Sequence, residues 1–134
     1  MGISENLRSV RERIAGAAAS AGRETGSIKL VAVSKGRSLE AMREAIRAGQ
    51  LVFGENRAQE LREKALLLGE GIEWHFVGHL QRNKVNMVVG RVALIHSLDS
   101  PRLAAAISSR AEALDMIQDV LLQVNVSREE GKFG

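Results

Sequence analysis

Five short apolar runs begin near residues 30, 51, 73, 92 and 119, and each gives way to polar residues. The intervals between them carry helical periodicity. This alternation is the feature that most restricts the fold. Strands that alternate with helices form βα units, and βα units build a parallel sheet with right-handed crossovers. The expected class is therefore α/β, with about five parallel strands preceded by an N-terminal helix.

The predicted strands are Leu30–Ser34, Leu51–Phe53, Glu73–Val77, Val92–His96 and Asp119–Val126. Ahead of them, Ile3, Leu7, Val10 and Ile14 recur at amphipathic-helix spacing over residues 3–21, with Ser4 as N-cap and Gly22 as stop. Arg8, Arg11, Glu12 and Arg13 fall on the outer face of that helix, where solvation is the ordinary role. Ser38 caps a second helix through Leu39, Met42 and Ile46 to Gly49. Asn56 caps a third, with Gln59 as its capping-box partner and Leu61, Ala65 and Leu68 as its buried stripe. A fourth runs from Leu80 to Gly90. Ser100-Pro101 opens a fifth, with a capping hydroxyl followed by proline at the first helical position.

At 134 residues the chain fits one domain, residues 1–134, large enough for a real core. With no cysteine, disulfides, thiolate catalysis and cysteine-based zinc sites are excluded. The net charge of +3 favours an anionic ligand mildly, but the charges are interspersed and aromatics make up only 3%, so nucleic acid is not expected as a partner. No signal peptide and no apolar run of bilayer length is read, so a cytoplasmic protein without membrane partners is expected.

In βα architectures the chemistry sits where strands end. Those ends supply Ser34 and Lys35, Glu55 and Asn56, His79 with His75 further back, His96, Ser97 and Asp99, and finally Asn125 and Ser127. Lys35 stands out because it follows an apolar strand directly and precedes a glycine. A lysine desolvated at a barrel mouth loses pKa and becomes an amine nucleophile toward aldehydes. Each of the others has an ordinary reading: Asn56 as a helix cap, His75 as a core histidine, and histidines on separate loops as a weak metal signal. No dinucleotide or Walker loop and no nucleophile elbow is present.

The motifs taken in order are Val31-Ala32-Val33-Ser34-Lys35, Phe53-Gly54-Glu55-Asn56-Arg57-Ala58-Gln59-Glu60, Trp74-His75-Phe76-Val77-Gly78-His79-Leu80-Gln81-Arg82-Asn83-Lys84, Ile95-His96-Ser97-Leu98-Asp99 and Gln123-Val124-Asn125. Together they closely resemble the pyridoxal 5′-phosphate homeostasis proteins (the YggS-type family), over essentially the whole chain. The resemblance implies a barrel like the N-terminal domain of alanine racemase. It also implies a strand-one lysine, here Lys35, that holds pyridoxal 5′-phosphate through a Schiff base, and a carrier or buffer role without turnover. Lys35, Asn56, His75 and Asn125 are accordingly the expected cofactor-binding residues, and no catalytic or metal-ligating residue is assigned. The chain has no tyrosine, the residue that a racemase of the related fold uses as one of its two bases.

Two departures qualify the match. Gly36 stands where the family usually has threonine. The family also continues for about three more strands, to complete a barrel of about eight, and builds its phosphate site from those later loops. The expectation is thus a partial (β/α) barrel, from a truncated, engineered or proteolysed chain, that self-associates to cover its exposed sheet edges. The competing expectations are a scaffold or interaction module with a vestigial cofactor site and a fragment of a racemase that uses the same cofactor.

Overall fold

The computed structural model describes residues 2–134. It contains a five-stranded, all-parallel sheet whose spatial order, β1-β2-β3-β4-β5, is also the chain order. The strands are β1 (Ala32–Val33), β2 (Val52–Glu55), β3 (Glu73–Phe76), β4 (Leu94–Leu98) and β5 (Asp119–Leu122). Between them lie α2 (Leu39–Arg47), α3 (Ala58–Leu68), α4 (Val85–Val88) and α5 (Pro101–Ala113), with α1 (Ile3–Ser20) ahead of the sheet. Because the order never reverses, there is no topological switch point. The arrangement is that of a partial (β/α) barrel, as the alternation of apolar runs predicts. Among the described residues no helix is long and apolar enough to cross a membrane.

The core lies between the sheet and its helices. Phe53, Trp74, Phe76 and Ile95 point outward from the strands and pack with Met42, Leu61, Val88, Leu103 and Ile107. Phe53 and Trp74 are neighbours in register, with ring centroids 6.0 Å apart. The opposite face of the sheet is more open, and Val33 there is 50% exposed.

Two helix starts follow the sequence signals. The Ser38 hydroxyl accepts from the Ala41 N–H at 3.1 Å, and the Ser100 hydroxyl from Leu103 N–H at 3.1 Å, with Pro101 opening α5. Gly22 (φ +68°) follows the end of α1 as a stop requires.

Elsewhere the structure corrects the sequence reading. Gly2, not Ser4, occupies the N-cap of α1. Arg11 is not merely a solvated surface charge: its guanidinium donates to the Ala48 carbonyl at 2.9 Å and to Gln50 Oε1 at 3.0 Å, tying α1 to the end of α2. β1 is shorter than Leu30–Ser34 because Gln50, 4% exposed, inserts its side-chain amide and donates to both the Leu30 and Val52 carbonyls. Asn56 does not cap α3. Arg57 holds that position without a side-chain cap, and Gln59 turns instead toward Glu63. The helix expected over 80–90 contracts to a 3-10 turn, Arg82–Lys84, and the single turn of α4. The chain then closes a turn, Arg91 N–H to Val88 carbonyl at 3.0 Å, before the ladder resumes at Ala93. This delays β4 by two residues and puts His96 in mid-strand. β5 ends at Leu122; the Gln123 N–H still donates to the Leu98 carbonyl at 2.7 Å, and residues 124–126 lie beyond the strand.

Candidate functional site

Lys35 lies just beyond β1, at the C-terminal edge of the sheet. The Arg37 N–H donates to the Ser34 carbonyl at 3.0 Å, closing a turn with Lys35 and Gly36 at its centre. Gly36 has φ +68° while Lys35 keeps negative φ, the pattern of a type II turn whose third position favours glycine. The Lys35 side chain is exposed. The ion pairs of the described residues engage Lys29, Lys64 and Lys132 and leave the Lys35 amine free.

Beneath this turn, on the helix side of the sheet, is a buried polar cluster. Glu55, at the end of β2, is fully buried. It accepts from the Ser34 hydroxyl at 2.7 Å and from Lys64 Nζ at 3.0 Å to both oxygens. Lys64 also donates to the Ser34 carbonyl at 2.6 Å and to Glu60 Oε1 at 2.7 Å. Glu60 Oε1 in turn accepts from the Gly36 N–H at 2.8 Å. Burial pushes the Glu55 carboxyl above its ordinary range, opposed by hydrogen bonds from Ser34 and Lys64. The hydrogen bond from Lys64 holds Glu60 below it.

Sequence reasoning placed Glu55 at a strand end but missed Lys64 and Glu60. The signal was present: Leu61, Lys64, Ala65 and Leu68 form an i, i+3, i+4, i+7 stripe, so a lysine occupies a core position of α3. A buried lysine needs partners, and Glu60 one turn earlier is the nearest in sequence.

A second cluster lines the open face. Successive strand residues alternate between faces, and Gly54 pairs in register with His75. A side chain at Gly54 would meet those of Val31, Val33 and Val77, so these residues share that face. His75 Nε2 lies 2.7 Å from Glu73 Oε2, and His75 Nδ1 lies 2.8 Å from His96 Nε2. Lys29 also donates to Glu73 Oε2 at 2.7 Å. With His75 donating to the carboxylate, its Nδ1 accepts, and His96 carries its proton on Nε2. Hydrogen bonds from Lys29 and then His75 hold Glu73 low. Burial, and then the neighbouring His75, lowers the His96 imidazole.

The four predicted cofactor residues are placed differently. Lys35 and Asn56 each stand two residues past the register pair Val33–Gly54, on adjacent strand ends. The Asn56 backbone is pressed against Gly78: a Cβ there would clash with the Asn56 carbonyl and Cα. His75 lies within β3, one layer below, and reaches toward the edge through His96. Asn125 lies beyond β5, at the far side of the sheet from β1. Its side-chain amide donates to the Glu129 carbonyl at 2.9 Å. His79 is stacked on Phe133, centroids 3.6 Å apart, with Nδ1 3.6 Å from Asp99 Oδ2. Ser97 faces the helices, fully buried, with an unpartnered hydroxyl.

Between the ends of β2 and β3 is a cavity of about 340 Å³ lined by Asn56, Arg57, Gln59, His79, Gln81 and Lys84. Its basic side chains suit an anion. Among the described residues no cluster of three or more His, Cys, Asp or Glu side chains could hold a metal ion.

No family model matches the chain. Individual proteins do. It is 46% identical over 135 residues to the pyridoxal phosphate homeostasis protein of Aquifex aeolicus, covering 100% of this chain and 59% of that protein. It is 40% identical over 136 residues to the protein of that name from Escherichia coli, covering 98% and 58%. Among solved structures, PipY of Synechococcus elongatus with pyridoxal phosphate bound superposes with a TM-score of 0.79 at 37% identity, over 92% of this chain and 55% of that one. A protein from Bifidobacterium adolescentis, described only as unknown, reaches a TM-score of 0.88 at 41% identity, over 98% and 58%. The chain thus spans about three fifths of the length of the curated relatives it matches. In sequence and in fold, the chain is thus similar over nearly its whole length to the pyridoxal phosphate homeostasis proteins.

Proposed function

We propose that this chain binds pyridoxal 5′-phosphate through Lys35 and serves as a carrier or buffer of that cofactor. The carrying observation is the Lys35 amine, unpaired and presented by a defined turn at the C-terminal edge of the sheet. The donor set suits the group: a free primary amine for the aldehyde and a neighbouring amide, Asn56. The cofactor supplies an aldehyde carbon, with which a lysine amine forms a C=N bond as water leaves.

The chain's own residues then have separate tasks in this reading. Lys35 supplies the nucleophile, and Asn56 orients the ring from the adjacent strand end. His75, held by Glu73 and His96, sets the charge of the floor beneath. Asn125 contributes from the far edge. The names of the relatives and the cofactor-bound PipY support the choice of cofactor.

Residues 1–134 act as one domain in this reading, working in the cytoplasm. A second copy covers the edge at β5, where Leu121, Leu122, Val124 and Val126 are 48%, 71%, 64% and 86% exposed. Sedimentation that finds only monomer across the micromolar range would remove the self-association. Absorbance titration with pyridoxal 5′-phosphate tests the binding itself: a visible imine band is expected, and it should vanish in Lys35→Ala.

A further inference from the structure

We infer that Lys64, acting with Glu60, is a positioning residue that fixes the backbone on both sides of Lys35. This rests on the reading of Lys35 as the cofactor-binding amine and adds a specific device to it. The Ser34 carbonyl, immediately before Lys35, accepts from Lys64 Nζ at 2.6 Å. The Gly36 N–H, immediately after it, donates to Glu60 Oε1 at 2.8 Å. Lys64 and Glu60 are themselves joined at 2.7 Å, four residues apart on α3. The two peptides flanking Lys35 are therefore anchored to one helix, through one ion pair.

The ammonium group has three protons and finds three acceptor groups here: the Ser34 carbonyl, Glu55 and Glu60. Its donors are saturated, and its side chain is only 8% exposed. Lys64 therefore has no donor to spare, while the Lys35 amine is left without a partner. Glu55 completes the brace from below: it holds the Ser34 hydroxyl at 2.7 Å, while the Ser34 N–H stays in the β ladder through the Gly54 carbonyl at 2.9 Å. Ser34 is thus held through its N–H, its hydroxyl and its carbonyl. A nucleophile on a pre-ordered turn loses less freedom on binding, so the brace raises affinity without touching the ligand.

The test compares the wild-type chain with Glu60→Gln, Lys64→Met and a remote core control, Ile107→Val, in three measurements. Hydrogen exchange at the Gly36 amide reads the brace without any ligand. Mass spectrometry of reductive methylation reads the Lys35 amine in the same unliganded chain. Titration with pyridoxal 5′-phosphate reads affinity. Glu60→Gln is expected to speed Gly36 exchange and weaken the cofactor affinity about tenfold, the scale of one charge-assisted hydrogen bond. It should also change the rate of Lys35 methylation at a fixed pH, whereas Ile107→Val should move none of the three. Equal exchange and affinity in wild type and Glu60→Gln would overturn the inference, as would a control that shifts them as much. Should Lys64→Met fail to fold, Glu60→Gln decides alone, because it leaves the buried Glu55–Lys64 pair intact. A wild-type chain with no Lys35-dependent band would defeat the binding reading, while Gly36 exchange would still decide the brace.

Discussion

The sheet carries a carboxylate and its bases on each face, and the two clusters behave in opposite ways. On the helix side, Glu55 is 0% and Lys64 8% exposed, and burial drives the Glu55 carboxyl upward. On the open side, the Glu73 side chain is 34% and Lys29 56% exposed, and hydrogen bonds drive the Glu73 carboxyl downward. The same chemical pairing is thus a structural clamp in one place and a solvent-screened contact in the other. Depth decides, because desolvation penalises a charge before any partner compensates it. The comparison also explains why Lys35 is available. The lysine that is buried and fully partnered is beneath the strand end, and the one left free is above it.

The largest break in the comparison is Lys64→Met. It strands a fully buried carboxylate and should destabilise the chain by about 3–5 kcal/mol, read as a shift in urea unfolding.

Next come the pH slopes, which should have opposite signs. Glu55 has a raised folded pKa, so above 4.5 the folded chain holds a proton that the unfolded chain has lost, and stability falls as pH rises through that window. Glu73 has a lowered folded pKa, so its contribution is present above 4.5 and is lost as pH falls toward the folded value. Glu55→Gln should remove the falling slope, and Glu73→Gln should reduce the rising one, to which Glu60 also contributes, in unfolding measured across both windows. Slopes of one sign would break the contrast.

His96 adds a smaller effect at milder pH. Its imidazole is lowered from 6.5, so the unfolded chain takes the proton first and stability declines as pH falls below 6.5. His96→Asn should flatten that decline in the same measurement. Smallest of all is Lys29→Met, which removes the exposed partner of Glu73 and should change stability by about 0–1 kcal/mol.

Much of this fold is written locally in the sequence. Ser38, Ser100 and Pro101 cap their helices because a hydroxyl or a proline acts on the turn that immediately follows. The five strands are legible because each is a short apolar run between helices. Lys35 and Asn56 are legible as strand-end residues for the same reason. What escaped depends on register and depth. The His75–His96 contact depends on the β3–β4 register, which pairs His75 with Leu94, two residues before His96 on the same face. Asn56 reads as a cap by residue type, yet the tight approach of its backbone to Gly78 belongs to packing between β2 and β3. Lys64 reads as one more surface charge until the stripe containing it is seen to face the sheet.

The central claim is that Lys35 is the amine through which this chain takes up pyridoxal 5′-phosphate. The most direct measurement is the visible absorbance spectrum of the chain titrated with that cofactor, alongside Lys35→Ala. A saturable imine band in the wild-type chain and none in the variant is the predicted result. An equal band in Lys35→Ala, or no band in either, would contradict it.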